Sequence, residues 1–198
     1  MQSHSYLSAI VLLFLGGCFS EPEYSNVPEI GFQSIEQYII LDAFDNEQGA
    51  VEITITFQDG NGDLGLEKNE GEADYGNLDF ANEVYDENGE LVYDEDGNTI
   101  VNKFKDNYFI EVYREEEGVF KLVEYPDGQG LSGTFPRLSD SEKEKPIEGE
   151  LEYSFILLPS SGSPLNVGDV IRFEIQIADR EKNVSNVIET ETINIGGL

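Results

Sequence analysis

A chain of 198 residues suits one domain with room for an insertion, and 41 Asp and Glu against 11 Lys and Arg leave a formal net charge of -30. Such a surface repels phosphate backbones and excludes nucleic acid as a partner, while 11% aromatic residues and alternating Val, Ile, Phe and Tyr runs argue for a packed core over disorder. The single histidine, His4, and the single cysteine, Cys18, both fall near the start. The rest of the chain therefore offers no imidazole base, thiol nucleophile or histidine–zinc centre, and the expectation is a protein that is not an enzyme.

Leu7–Leu15, LSAIVLLFL, has the length of a signal-peptide core and is too short to span a bilayer. Leu15-Gly16-Gly17-Cys18 follows directly and resembles the bacterial lipobox, in which a signal peptidase cuts before the cysteine and the new N-terminus is acylated. The resemblance implies a signal peptide over 1–17, which takes His4 with it, lipidation at Cys18, and a tether over 18–27. Met1–Tyr6 departs from the usual pattern by lacking Lys and Arg. Each buried lipid methylene contributes about 0.8 kcal/mol and two or more chains anchor stably, so the mature protein is expected to hang from a membrane without crossing it. Phe19 does not resemble the aspartate that retains lipoproteins in the inner membrane of enteric bacteria. Ser20-Glu21-Pro22-Glu23 partly resembles the acidic tracts of surface-directed Bacteroidetes lipoproteins. The outer membrane is the expected location, and both its periplasmic and its outer side are compatible.

The body, 28–198, reads as strands. Pro28–Ile35 opens it with Ile30 and Phe32 on one face, and Tyr38–Ala43 continues apolar. In Val51–Gln58, Val51, Ile53, Ile55 and Phe57 alternate with polar residues, the pattern of a half-buried strand. An acidic, glycine-rich loop follows, and Tyr75–Phe80 is ambiguous. Val84–Glu90 (VYDENGE) and Val92–Asn98 (VYDEDGN) repeat with a period of eight residues. Their Asn88-Gly89 and Asp96-Gly97 pairs predict two-residue hairpin turns in a ribbon inserted at about 82–105. Asn107–Arg114 and Val119–Tyr125 flank a four-residue loop, Glu115–Gly118. Leu151–Leu158 is apolar on both faces in its second half, which predicts a central strand. Val170–Ala178 alternates cleanly, and Val187–Ile195 closes the chain. Eight to ten strands without a helix argue for an all-β fold, an antiparallel immunoglobulin-like β-sandwich with an inserted β-hairpin ribbon.

Phe57–Leu66 (FQDGNGDLGL), Ile147–Leu151 (IEGEL) and Ile171–Asn186 (IRFEIQIADREKNVSN), taken with the lipobox, resemble a family of Bacteroidetes outer-membrane lipoproteins that have an immunoglobulin-like domain and no assigned activity. The last stretch is also similar to the final hairpin of bacterial immunoglobulin-like domains, whose Asp-x-x-x-Asn turn would fall on Asp179 and Asn183. Asn61 stands where the family more often has Asp.

Asp59, Asn61 and Asp63 place three oxygen-bearing side chains within five residues, the raw material of a calcium loop. An EF-hand is ruled out, because Leu64 occupies the position that demands glycine and a strand precedes the loop. A strand–loop calcium site remains, joined by Asp179 if the two loops meet at one end of the sandwich, with a structural role for the ion. The competing reading is plain turn chemistry, in which Asx side chains bond local backbone amides. Tyr85, Tyr93, Tyr108, Phe109 and Tyr113 offer either cross-strand packing or a stacking platform for sugars. The functional expectation is a lipid-anchored lipoprotein with a non-catalytic binding or structural domain, leaving room for a protein or glycan partner at the cell envelope. Its rivals are a glycan-binding accessory lipoprotein of a surface uptake system and, third, a carboxylate-based glycoside hydrolase.

Overall fold

Alternation at Val51, Ile53, Ile55 and Phe57 is realised as a strand whose four apolar side chains are all buried, three of them to 1% exposure or less. In the computed structural model, which describes residues 22–67, 77–125, 130–139, 141, 143–157 and 163–196, that strand is the second of eight. In chain order they are β1 (Glu29–Leu41), β2 (Glu47–Asp59), β3 (Tyr108–Glu116), β4 (Val119–Leu122), β5 (Ile147–Ile156), β6 (Val170–Ile177), β7 (Ile188–Glu189) and β8 (Ile193–Asn194). One antiparallel sheet runs β1-β2-β5; the other runs β4-β3-β6-β7, with β8 also on β6.

The two sheets pack face to face as a β-sandwich. Ile171, Phe173, Ile175 and Ile177 of β6 are each fully buried opposite the β2 residues, and burying such side chains contributes about 1.5–3 kcal/mol apiece. Across the interface Tyr108 stacks on Tyr153 at 4.5 Å, and Phe155 meets Phe173 edge-on at 5.5 Å. The interior is thus filled by inward-facing residues of both sheets, the arrangement that alternation demands.

Several local expectations are corrected. The runs predicted at Pro28–Ile35 and Tyr38–Ala43 form one strand, β1, because a bulge at Gln33 keeps both Phe32 and Ile35 on the same face as their cross-strand partners Ile55 and Ile53. β5 is an edge strand and not a central one: its apolar run lies at its end, where Leu157 is buried while Ile156 is 45% exposed. The loop predicted over Glu115–Gly118 shortens to a two-residue turn, since Glu116 pairs with Val119 and both Glu117 and Gly118 adopt positive φ. The closing strand splits into β7 and β8, because the Thr190 hydroxyl accepts the Phe173 amide and interrupts the ladder. Part of the ambiguous Tyr75–Phe80 stretch is a short 3-10 turn, Leu78–Phe80, and its start lies outside the described residues.

The inserted ribbon is a three-way junction. The Val84 amide donates to the Ile100 carbonyl, Val92 to Val84 and Ile100 to Val92, closing a ring of backbone hydrogen bonds at the eight-residue period. Pairs Tyr85–Leu91 and Tyr93–Thr99 make two hairpin arms, and Glu83–Val101 makes the stem. The turns are not the two-residue type: only Gly89 and Gly97 have positive φ. Asp86 Oδ1 instead accepts the amides of Asn88 and Glu90, and Asp94 Oδ1 those of Asp96 and Asn98, so the carboxylates stabilise a longer loop.

Candidate metal centre

Asp59 ends β2 and is fully buried because the core face of that strand carries it inward. The chain then turns through Gly60–Asp63. Gly62 has φ 71°, and a Cβ there would run into the Lys145 carbonyl, so this turn requires glycine. Leu64, which removes the EF-hand reading, is itself fully buried and bridges Asp179 across an antiparallel pair. That bridge brings the loop after β2 against the loop after β6. The Arg180 amide donates to the Asp63 carbonyl, and the Leu138 amide donates to the Leu64 carbonyl, fixing the junction from both sides.

Asp59, Asp63 and Asp179 each present a carboxylate oxygen within 4.8 Å of the others. Asp59 and Asp179 are 0% and 1% exposed. Asp59 Oδ2 accepts the Asp63 amide, and both Asp179 oxygens are gripped by the Asn183 amide and side chain. Buried Asp59 Oδ1, Asp63 Oδ1 and Asn61 Oδ1 have no hydrogen-bond partner. Asn61 is 8% exposed, so its amide oxygen, like the carboxylate Oδ1 of Asp59, is an acceptor held away from water. The structure therefore joins Asp59, Asp63 and Asp179 and buries Asn61 in the same loop. Cys18 lies outside the described residues.

Burial, and then the neighbouring carboxylates of Asp179 and Asp59, push Asp63 up to about 6. Asp59 is raised by burial against the lowering effect of the Asp63 and Gly62 amides. Burial also raises Asp179, against the hydrogen bonds from Asn183. At 4.8 Å and an effective dielectric of about 20, each pair of unit charges repels by roughly 3.5 kcal/mol. The nearby Arg180 guanidinium, which donates to the Gly65 carbonyl, offsets part of this for Asp59 and Asp63.

Other predicted residues separate. Tyr108 is buried in the core, while Tyr113 and Phe109 lie on the outer face of the second sheet and Tyr93 is exposed on the ribbon. That outer face carries a pocket of about 200 Å³ lined by Lys103, Phe109, Glu111, Glu174, Gln176 and Val187 among others. Sequence reasoning missed Lys103 and Arg172, which stack on aromatic rings there: Lys103 lies 4.9 Å from the Phe109 ring, and Arg172 lies 4.8 Å from Phe120. Arg172 and Phe120 lie on different strands far apart in sequence, so no local spacing signals that pair, whereas Lys103 has Phe104 beside it in the chain. Compared with protein-family models, curated proteins and solved structures, the chain matches none of them.

Proposed function

We propose that this is a lipid-anchored outer-membrane lipoprotein whose domain serves binding or structure without catalysis and is stabilised at one pole by calcium. The observation that carries the calcium reading is the set of buried oxygens without partners among the clustered carboxylates. Three carboxylates, with the unpartnered Asn61 oxygen in the same loop, offer hard oxygen donors of excess negative charge, which suit calcium better than a transition metal. Strand order supports an immunoglobulin-like assignment: β1-β2-β5 facing β4-β3-β6-β7 matches an A-B-E sheet facing C-F-G with one added edge strand. The lipobox Leu15–Cys18 behind its apolar run supports the anchor.

Two measurements test this reading. Calorimetry of the metal-free protein should give one-site calcium binding that Asp59→Ala abolishes; flat heats remove the calcium claim. Cells fed labelled palmitate should label the wild-type chain and not Cys18→Ser, and equal labelling of both removes the anchor.

A second reading, a glycan-binding accessory lipoprotein of an uptake system, is favoured by the outer pocket at Phe109. An aromatic ring beside Glu111, Glu174 and Gln176 suits a sugar ring, and Lys103 and Arg172 balance the two carboxylates there. Retention on immobilised polysaccharide that Phe109→Ala weakens about tenfold or more, the size expected for losing an aromatic contact, would support it. No retention on any polysaccharide would discard it.

A further inference from the structure

The chain ahead of β1 is held to the body at two places, and the start of β1 at a third. The Gly60 amide donates to the Ser25 carbonyl at 2.8 Å, and the Tyr24 hydroxyl donates to Glu148 at 2.5 Å. The Asn186 side chain pairs with the Ile30 backbone in both directions at 2.9 Å. Two of these grips belong to the loops that meet at the carboxylates: Gly60 follows Asp59 directly, and Asn186 lies three residues beyond Asn183, which holds Asp179. The seat on Gly60 depends on close approach, since a Cβ there would sit 2.5 Å from the Tyr24 carbonyl oxygen and 2.8 Å from Asn26 Oδ1.

We infer that a cation at Asp59, Asp63 and Asp179 controls whether residues 22–27 stay seated on the domain, an inference that rests on the calcium reading above. With the ion bound, the turn through Gly60–Asp63 is drawn against Asp179, and the Gly60 amide is presented to Ser25. Without it, repulsion among three carboxylates falls on the parts able to yield. Asp59 is fixed in the β2 ladder, so the Gly60–Asp63 turn moves, and the Ser25 grip moves with it. Release of six residues adds about 20 Å of extended chain to the leader that carries the domain. The carboxylate pole thus regulates how freely the domain stands off its anchor.

Hydrogen exchange on the full chain in detergent, with calcium or with chelator, tests the coupling alongside calorimetry. Amides of Ser25–Val27 and of Gly60 should exchange about tenfold faster under chelator, as expected for local opening, while β6 residues 171–177 keep their protection. If calorimetry shows calcium binding but these amides exchange alike in both conditions, the coupling is wrong and the calcium reading stands. If calcium gives no heat, both fall together. Loss of β6 protection by the same factor also overturns the coupling, because the chelator would then be unfolding the whole domain. Gly60→Ala should keep calcium binding and show fast exchange of the leader in both conditions; calcium-dependent protection in that variant counts against the seat. The wild-type comparison decides the matter even if Gly60→Ala fails to fold.

Discussion

Asp63 sits where two demands oppose each other. Its amide donates to Asp59 Oδ2 and its carbonyl accepts from Arg180, so its backbone is needed in place, while its carboxyl is pushed toward the protonated form. Replacing that carboxylate by an amide keeps the size and an oxygen but removes the charge. Asp63→Asn is therefore expected to be more stable than the wild type in chelator, because it removes two of the three repulsive pairs at the loss of the attraction to Arg180, and less stable than the wild type in saturating calcium. The crossing of the two orders in thermal melts is the readout. A variant that is weaker in both conditions would mean that Asp63 contributes hydrogen bonding alone. The residue types were legible in the sequence because Asp59, Asn61 and Asp63 lie within five positions. What spacing alone does not supply is the reason Leu64 breaks the EF-hand pattern: it is a core residue that pins the loop to Asp179.

One turn recurs at the scale of elements. At Asp42, Asp59, Asp86, Asp94 and Asp179 the aspartate carboxylate accepts the amide four residues on, and the residue before that amide has positive φ: Asp45, Gly62, Gly89, Gly97 and Lys182. Two of the five hold the ribbon arms, where the carboxylates of Asp86 and Asp94 lie below the ordinary value of 3.8, first because of the Glu90 and Asn98 amides. A carboxylate with a depressed folded value stabilises above its unfolded value, and that stability is lost as pH falls through the folded one. Below pH 3.8 the Glu90 and Asn98 amides should thus lose exchange protection ahead of the β6 amides, and Asp86→Ala should produce the first effect at neutral pH. Simultaneous loss in ribbon and core would mean that these turns do not hold the arms by themselves. Alternation made β2 and β6 legible, since both faces of each follow the period of two. The place of β5 at an edge was not, because Phe155-Ile156-Leu157 looks buried on both sides until strand order shows that nothing among the described residues covers Ile156. The three-way junction was only half visible, as Ile100 closes the ring without repeating the VYDE motif.

For the whole molecule, the net charge of -30 and the buried carboxylate cluster respond to cations on different length scales. Exposed acids such as Glu148, Glu150 and Glu152 on the outer side of β5 repel through solvent, so added salt relieves them once the screening length, about 10 Å at 0.1 M, approaches their spacing. The Asp59, Asp63 and Asp179 oxygens lie within 4.8 Å of one another behind protein, well inside that length, and monovalent salt leaves their repulsion largely intact. Sodium chloride should accordingly raise the melting temperature gradually and without saturation. Calcium, compared at matched ionic strength, should add a saturable increment. At about a hundredfold above its dissociation constant a ligand selective for the folded state contributes about 2.7 kcal/mol. For a domain of this size that corresponds to a rise of roughly 5–11 °C. Asp59→Ala should delete the saturable part and keep the gradual part, since it leaves nearly all of the surface charge in place. If matched sodium chloride reproduces the full calcium effect, the ion acts only as a screening agent, and the carboxylate pole holds together through Arg180 and its backbone hydrogen bonds.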